Sequence, residues 1–398
     1  MPKVVEKPKT KLGAKLAEKV RPKQTESLWK GPEIDGITQS MLSNFLVCRE
    51  RFRVKYVEGL RPHDQFNKGL EYGQLWHTCE EALAKEPEGV RATNCWQTPL
   101  KEYAQSLVKR YPLAGEQIDQ WYNVCKVQFP LYVSWWSKHP DVQKRTPLFQ
   151  EQVFNIPYRL PSGRVVRLRG KFDAVDLIGK DKTAGIYLQE NKTKGDINEQ
   201  QLQRQLSFDL QTMLYLVALQ EMLNQPDEAY VADEFQSPIR GVRYNVIRRP
   251  LSGGKGSIRQ HAPTKSNPQG ESKADYYARL GTIIEEANGP AADLPEGQHY
   301  FFMRWKAEIS ATDIERFKTR FLNPILEQLC LWYDWIENNP DPFNSDYVKQ
   351  SIGIHFQYPF GTYNPLTDGG GATDVDEYLL SGNKTGLERA ESLFGELQ

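Results

Sequence analysis

Gly170-Lys171-Phe172-Asp173-Ala174-Val175-Asp176, followed after a turn by Ile186-Tyr187-Leu188-Gln189-Glu190-Asn191-Lys192, decides how this chain is read. Each segment is an apolar, strand-like run with an acid at its polar end. Extended backbone sends alternate side chains to opposite faces, so Glu190 and Lys192 share one face. Carboxylate oxygens suit hard cations such as magnesium or manganese. A face carrying two carboxylates and a lysine can gather a cation, a water and a phosphate, the equipment for breaking a phosphodiester. Asp176 rivals Asp173, but it lies three residues further along an extended segment and so faces the other side. An acid followed by Glu-x-Lys is also an ordinary surface ion pair, contributing about 0 to 1 kcal/mol. The surrounding sequence separates these readings.

Working outward, residues 153–158 and 165–169 alternate like strands around the turn signature Pro161-Ser162-Gly163. The runs 172–177 and 186–190 continue the strand pattern. A helix is expected over 200–223, a strand over 242–247, a helix over 274–286, a strand over 300–309 and a long helix over 311–335. Upstream, Met41, Leu42, Phe45, Leu46 and Phe52 recur at helical steps after Thr38 or Ser40 as cap. Further helices are expected over 70–84 and 98–138, the latter carrying Trp121, Phe129, Tyr132, Trp135 and Trp136 as a core stripe. The segment 86–94 reads as a loop. Helices, a three-strand meander, a helix and another strand make a mixed α/β or α+β arrangement.

With 398 residues, 39% of them hydrophobic and 11% aromatic, the chain can bury a sizeable core. Lys plus Arg balance Asp plus Glu at 51 each, so overall charge does not announce a nucleic-acid binder. Local charge says more. Between Arg240 and Lys273 stand eight basic residues, Arg248 and Arg249 among them, against Glu271 alone. A flexible basic loop over 250–272 fits phosphate contacts. Residues 1–30 carry eight Lys and one Arg against three Glu and read as a disordered basic tail, with a short helix near 11–20. The five cysteines show no paired spacing, which points to reduced thiols and a cytoplasmic setting. No apolar run approaches membrane-spanning length, no signal core stands at the start, and no Walker A motif is present.

Four further features accompany Asp173, Glu190 and Lys192. They are Gly73-x-x-x-His77; Gln211-x-x-x-Tyr215, four apart on one helix face; the Thr38–Phe52 segment with Ser40, Phe45, Cys48, Arg49 and Arg51; and Gly170, three residues before Asp173. This ordered set resembles the PD-(D/E)XK nuclease superfamily, in its RecB-like exonuclease branch. Beyond Tyr215 the resemblance thins, although Tyr244–Pro250 and Tyr300, Phe301 and Arg304 are similar to segments of phage-encoded members.

The resemblance implies an α/β, restriction-endonuclease-like core, a mixed central sheet flanked by helices, with helical insertions. It would span 31–366, with a helical N-terminal part over 31–145 and a peripheral tail over 367–398. It implies Asp173 and Glu190 as metal ligands, joined by His77 and the Asn191 backbone carbonyl. Lys192 would orient or help deprotonate the attacking water and stabilise phosphate charge. Gln211 and Tyr215 would position DNA or brace the catalytic strand, unless they merely cover the sheet; Arg248 and Arg249 would contact DNA. Glu80 and Glu81 are assigned to a solvated helix face. The implied activity is hydrolysis of DNA with Mg2+ or Mn2+, by an exonuclease of recombination, repair or phage DNA processing. A recombination or replication protein is the implied partner, in a bacterial or phage-infected cell. The alternative is a non-catalytic DNA-binding or adaptor protein on the same fold. Many relatives hold an iron–sulfur cluster through one cysteine near the first helix and three near the C-terminus. Here Cys48 has no such triplet to join, so no cluster is expected.

Overall fold

The computed structural model describes residues 27–62, 66–85, 94–142, 144–180, 183–225, 233–252, 257–287, 300–338 and 387–397. The helix expected near 11–20, almost all of the 86–94 loop, Lys255 and most of the tail beyond 367 lie outside these residues. The chain divides into two compact units, one of 65–156 and 169–324, the other of 1–64, 157–168 and 325–398.

The first of these units carries the central sheet. Its helices α2 (Lys68–Ala84), α3 (Gln97–Arg110) and α4 (Gly115–Ser137) precede strands β2 (Arg145–Arg159) and β3 (Val165–Ile178), most of each belonging to this unit, and β4 (Gly185–Lys194). Helices α5 (Glu199–Leu206) and α6 (Leu210–Leu223) lead to β5 (Ile239–Arg248), α7 (Lys273–Glu286), β6 (Phe302–Glu308) and α8 (Ala311–Phe317). Strand order is β2-β3-β4-β5-β6. β4 runs antiparallel to β3 and parallel to β5, and β6 is antiparallel to β5. A parallel pair needs a crossover, which α5 and α6 supply. This mixed five-stranded sheet flanked by helices is the expected α/β architecture.

Local chemistry explains the boundaries. Asn67 Oδ1 accepts the N–H groups of Gly69 (3.0 Å) and Leu70 (3.2 Å), starting α2 two residues ahead of the apolar pattern. The helix expected over 200–223 is two helices, because Asp209 caps a second start by accepting from the Thr212 N–H (3.2 Å). Residues 165–178 form one continuous strand through Gly170. The aromatic stripe of α4 is core: Trp121, Phe129, Tyr132 and Trp136 pack with Tyr72 and Trp76 of α2. Helix α6 is buried on nearly every side from Thr212 to Leu219, so it lies within the fold rather than across its surface.

The other unit holds α1 (Gln39–Val47), capped by Thr38, and α9 (Asn323–Asn338), most of which belongs to it. The long helix expected over 311–335 is interrupted by a π-type turn at Lys318–Leu322 before α9. Trp29 is fully buried, donates to the Gly36 carbonyl (2.8 Å) and meets Phe52 and Tyr333 edge to face. Trp29, expected within the tail, is therefore part of the packed fold, because burial of a large ring fixes the chain there. Leu387–Arg389 (β7) pairs antiparallel with Leu60–Pro62 (β1), so part of the expected C-terminal tail is strand. Cys48 is buried, its Sγ accepting the Arg51 N–H (3.4 Å). Among the described residues no helix is long and apolar enough to cross a membrane.

Candidate active site

The β3–β4 ladder runs from Ile178↔Gly185 to Ala174↔Gln189, and Asp173 and Glu190 follow immediately on the two strands. There the pairing gives way to side-chain chemistry: the Asn191 N–H donates to Asp173 Oδ2 (2.9 Å). Glu190 is 2% exposed. Its Oε1 accepts from Lys192 Nζ (2.7 Å) and Gln211 Nε2 (2.7 Å), while Lys192 also donates to Gln211 Oε1 (2.8 Å). Glu190, Lys192 and Gln211 thus close a triangle of charge-assisted hydrogen bonds. Gln189 and Asn191 project to the opposite face. There Asn191 Oδ1 accepts from Asn245 (2.9 Å), and Arg304 reaches Asn245 (2.5 Å) and Gln189 (3.4 Å). Alternation thus leaves only the Asn191 main chain on the carboxylate side, where the amide is the group seen in use.

His77, on α2, places Nδ1 3.9 Å from Asp173 Oδ1. Gly73, one turn earlier, lets α2 approach β4 closely: a methyl group there would lie 3.4 Å from Thr193 Oγ1. Enclosure by protein lowers the His77 pKa, against the pull of Glu190 and Glu151, so the ring is neutral with a lone pair to offer. Burial pushes Glu190 up to about 7; Lys192 opposes that rise and Asp173 adds to it. Burial also raises Asp173, opposed by the Asn191 N–H and Lys192. Burial would lower Lys192, but Glu190 foremost holds it above its ordinary value.

Asp176 is engaged elsewhere. It is 1% exposed, with Arg145 Nη1 3.1 and 3.2 Å from its two oxygens, and Arg145 stacks over Trp136. Gly170 has a steric role: a methyl group there would lie 2.6 Å from Phe154 Cζ and 2.9 Å from Tyr215 Cε1. Tyr215 packs edge to face on Phe154 and Phe172, beneath the strand bearing Asp173.

Residues 37–307 match the PD-(D/E)XK nuclease superfamily. The chain belongs to that superfamily. No curated protein matches the chain. Members of the PD-(D/E)XK superfamily are nucleases, hydrolases that generally use divalent metal ions and act on DNA, and the mixed sheet agrees with their restriction-endonuclease-like fold.

Two residues of this PD-(D/E)XK chain escaped the sequence reading. Glu80 is not on a solvated face: its Oε1 is buried with no hydrogen-bond partner, and burial pushes its carboxyl up to about 7, with Tyr132 opposing and Asp173 and Glu151 adding repulsion. Its signal was the three-residue step from His77, which places both on one face of α2. Glu81 does lie near the surface, paired with Lys85 (2.8 Å) and Lys171 (3.5 Å). Glu151, on β2, adopts a left-handed φ of 49° and meets Lys171 at 2.6 Å. Nothing in the sequence marks that backbone excursion.

The two arginines expected at DNA differ. Arg248 is 3% exposed, its guanidinium over Phe301 and 3.6 Å from Asp196, so it serves the interior rather than a nucleic-acid surface. Arg249 is partly buried and donates to the Thr193 carbonyl (3.0 Å) and Ser252 Oγ (3.1 Å). Residues 257–272 hold no helix or strand, yet Glu271 fastens them: it accepts from the His261 N–H (2.9 Å) and from Arg279 of α7 (2.6 Å).

The donor set fits a divalent cation. Glu190 Oε2 is buried without a hydrogen-bond partner, an arrangement that carries a desolvation penalty unless something positive meets it. Asp173, Glu80 and Glu151 add negative charge around it, with Lys192 and Lys171 in partial balance. Among the described residues no three His, Cys, Asp or Glu side chains enclose a point by themselves. Main-chain oxygen and water would complete the shell, as hard cations accept.

Proposed function

We propose that this chain is a divalent-metal-dependent deoxyribonuclease, an exonuclease of the RecB-like branch working in DNA recombination, repair or phage DNA processing. The observation that carries the reading is the closed Glu190–Lys192–Gln211 triangle beside Asp173, with Glu190 Oε2 left unpartnered. Asp173, Glu190 and His77 would hold magnesium or manganese, which supplies Lewis acidity and a more acidic water. Lys192 has three N–H donors, two of them directed at Glu190 and Gln211. The third is available to a phosphoryl oxygen or the attacking water, where a compact positive charge stabilises developing negative charge. Gln211 fixes the lysine through its carbonyl and the carboxylate through its amide. Neutral His77 offers a lone pair next to Asp173. Arg249, near the end of β4, would meet the DNA backbone. The scattered cysteines support a cytoplasmic setting. An intact triangle speaks against a purely adaptor role.

The test uses linear and circular DNA with magnesium or manganese and compares wild type with Asp173→Ala and Lys192→Ala. Cleavage of linear DNA should fall by about two orders of magnitude or more in both variants. Equal cleavage by all three proteins would sink the site assignment. Circular DNA cut as fast as linear DNA would replace the exonuclease reading with an endonuclease one.

A further inference from the structure

Phe208 stands out among the side chains the proposed mechanism does not use. Of the exposed large hydrophobic residues described, only Phe208 and Phe321 are aromatic. Phe321, 38% exposed, stacks on Phe317 with ring centroids 5.2 Å apart. Phe208 is 68% exposed, and among the described residues it has no aromatic partner. Single exposed apolar residues are common and need no explanation by themselves. Position makes this one different.

Phe208 occupies the turn between α5 and α6, one residue before the Asp209 cap and three before Gln211. The same turn therefore sets the start of the helix that braces Lys192 and Glu190. It is held firmly: the Leu206 carbonyl accepts from Tyr244 Oη (2.8 Å), Ser207 donates to the Gln203 carbonyl (2.5 Å), and Thr212 bonds the Asp209 carboxylate through both N–H (3.2 Å) and hydroxyl (3.1 Å). An exposed ring on a fixed turn is preorganised for a flat partner. Asp209 lies within electrostatic range of Lys192 and Lys194, so cationic groups suited to a phosphate backbone adjoin the turn. Next to it α5 presents Asn198, Gln201, Arg204 and Gln205 around an open depression, while its Leu202 and Leu206 are buried. Uncharged amides with one arginine suit sugar and phosphate contacts without sequence preference.

We infer that Phe208 stacks on an unpaired base beside the scissile phosphate, so that the α5–α6 turn receives a single-stranded or frayed stretch of DNA. The occupant is single-stranded because a base inside a duplex is already stacked on both faces by its neighbours, whereas an unpaired base can turn a free face to the ring. This rests on the nuclease reading of the adjoining site and adds to it the form of substrate that site prefers.

The test is fluorescence anisotropy in EDTA, which stops hydrolysis, with a labelled single-stranded oligonucleotide and a blunt duplex of equal length. Wild type should bind the single strand more tightly than the duplex. Phe208→Ala should weaken single-strand binding roughly five- to 150-fold, as loss of one base–aromatic stack does, and leave duplex binding unchanged. Phe208→Trp should restore it. Thermal melting of each variant checks that the fold is intact. Single-strand binding by Phe208→Ala within about twofold of wild type overturns the inference. If wild type still cuts DNA in that case, the nuclease reading stands and only the role of Phe208 falls. A wild type that neither binds nor cuts DNA removes both.

Discussion

Replacing Glu80 with Gln should make the protein more stable above neutral pH and leave it little changed in acid. The carboxyl sits inside the fold on α2, its Oε1 without a hydrogen-bond partner. Burial raises its pKa from the ordinary 4.5 to about 7. Below 4.5 the group is protonated in both folded and unfolded chains and contributes nothing to pH dependence. Between 4.5 and 7 the unfolded chain releases its proton while the folded one keeps it. Wild-type stability therefore falls by about 1.4 kcal/mol per pH unit across that window. Above 7 both states are ionised and the full penalty is in place. The rise from 4.5 to about 7, at about 1.36 kcal/mol per unit, amounts to about 3 kcal/mol. Gln has the shape of the protonated acid and no proton to lose, so it escapes the penalty. Urea denaturation of both proteins in EDTA, at pH 4.5 and pH 8, should show the stability difference shifting by about 3 kcal/mol in favour of Gln at the higher pH. Taking the difference between proteins cancels other titrating groups. A difference that stays constant with pH would mean that Glu80 is ionised and solvated, and would refute the burial argument.

Asp176→Ala should cost about 3–5 kcal/mol in urea denaturation, because it strands the buried Arg145 guanidinium, yet leave DNA cleavage per folded molecule intact. Asp173→Ala should show the reverse pattern. Gly170→Ala should destabilise by about 1–3 kcal/mol, since the added methyl overlaps Phe154 and Tyr215; Phe154→Leu in the same protein should return part of the loss. Gln211→Ala should lower cleavage about 10- to 100-fold by freeing Lys192 to wander, a loss measurable by steady-state kinetics, while thermal stability changes little.

The legible parts of the chain were those governed by local pattern. The apolar run 186–188 ending in Glu-Asn-Lys is a strand, and its alternation places Glu190 and Lys192 together, as period-two geometry requires. The Gly-x-x-Asp spacing has a visible cause in the rings crowding Gly170. Gln211 touches Glu190 and Lys192 directly, whereas Tyr215 packs beneath the strand that carries Asp173. What the sequence hid depends on distant partners. Glu80 reads as polar helix surface until Tyr132 and Trp76 close over it. Arg248 belongs to a basic cluster in sequence but lies over Phe301 in the fold. Trp29 joins the core through Tyr333, roughly 300 residues later, a contact no local window contains.

If the proposed site is the cutting site, the Glu190–Lys192–Gln211 triangle also governs when the protein becomes dangerous to DNA. Gln211 lies 21 residues from Glu190 and 19 from Lys192, and it reaches them only after the chain has left β4 and wound through α5. That contact needs α5 and the start of α6 in place, whereas β3 and β4 are consecutive strands that pair directly. A chain emerging from the ribosome can pair β3 with β4 and bring both carboxylates together before the amide that steadies the lysine exists. Cutting power should therefore trail strand formation during refolding, as simultaneous circular dichroism and cleavage assays would reveal. A growing chain would carry the acids of its site for some time before it could use them.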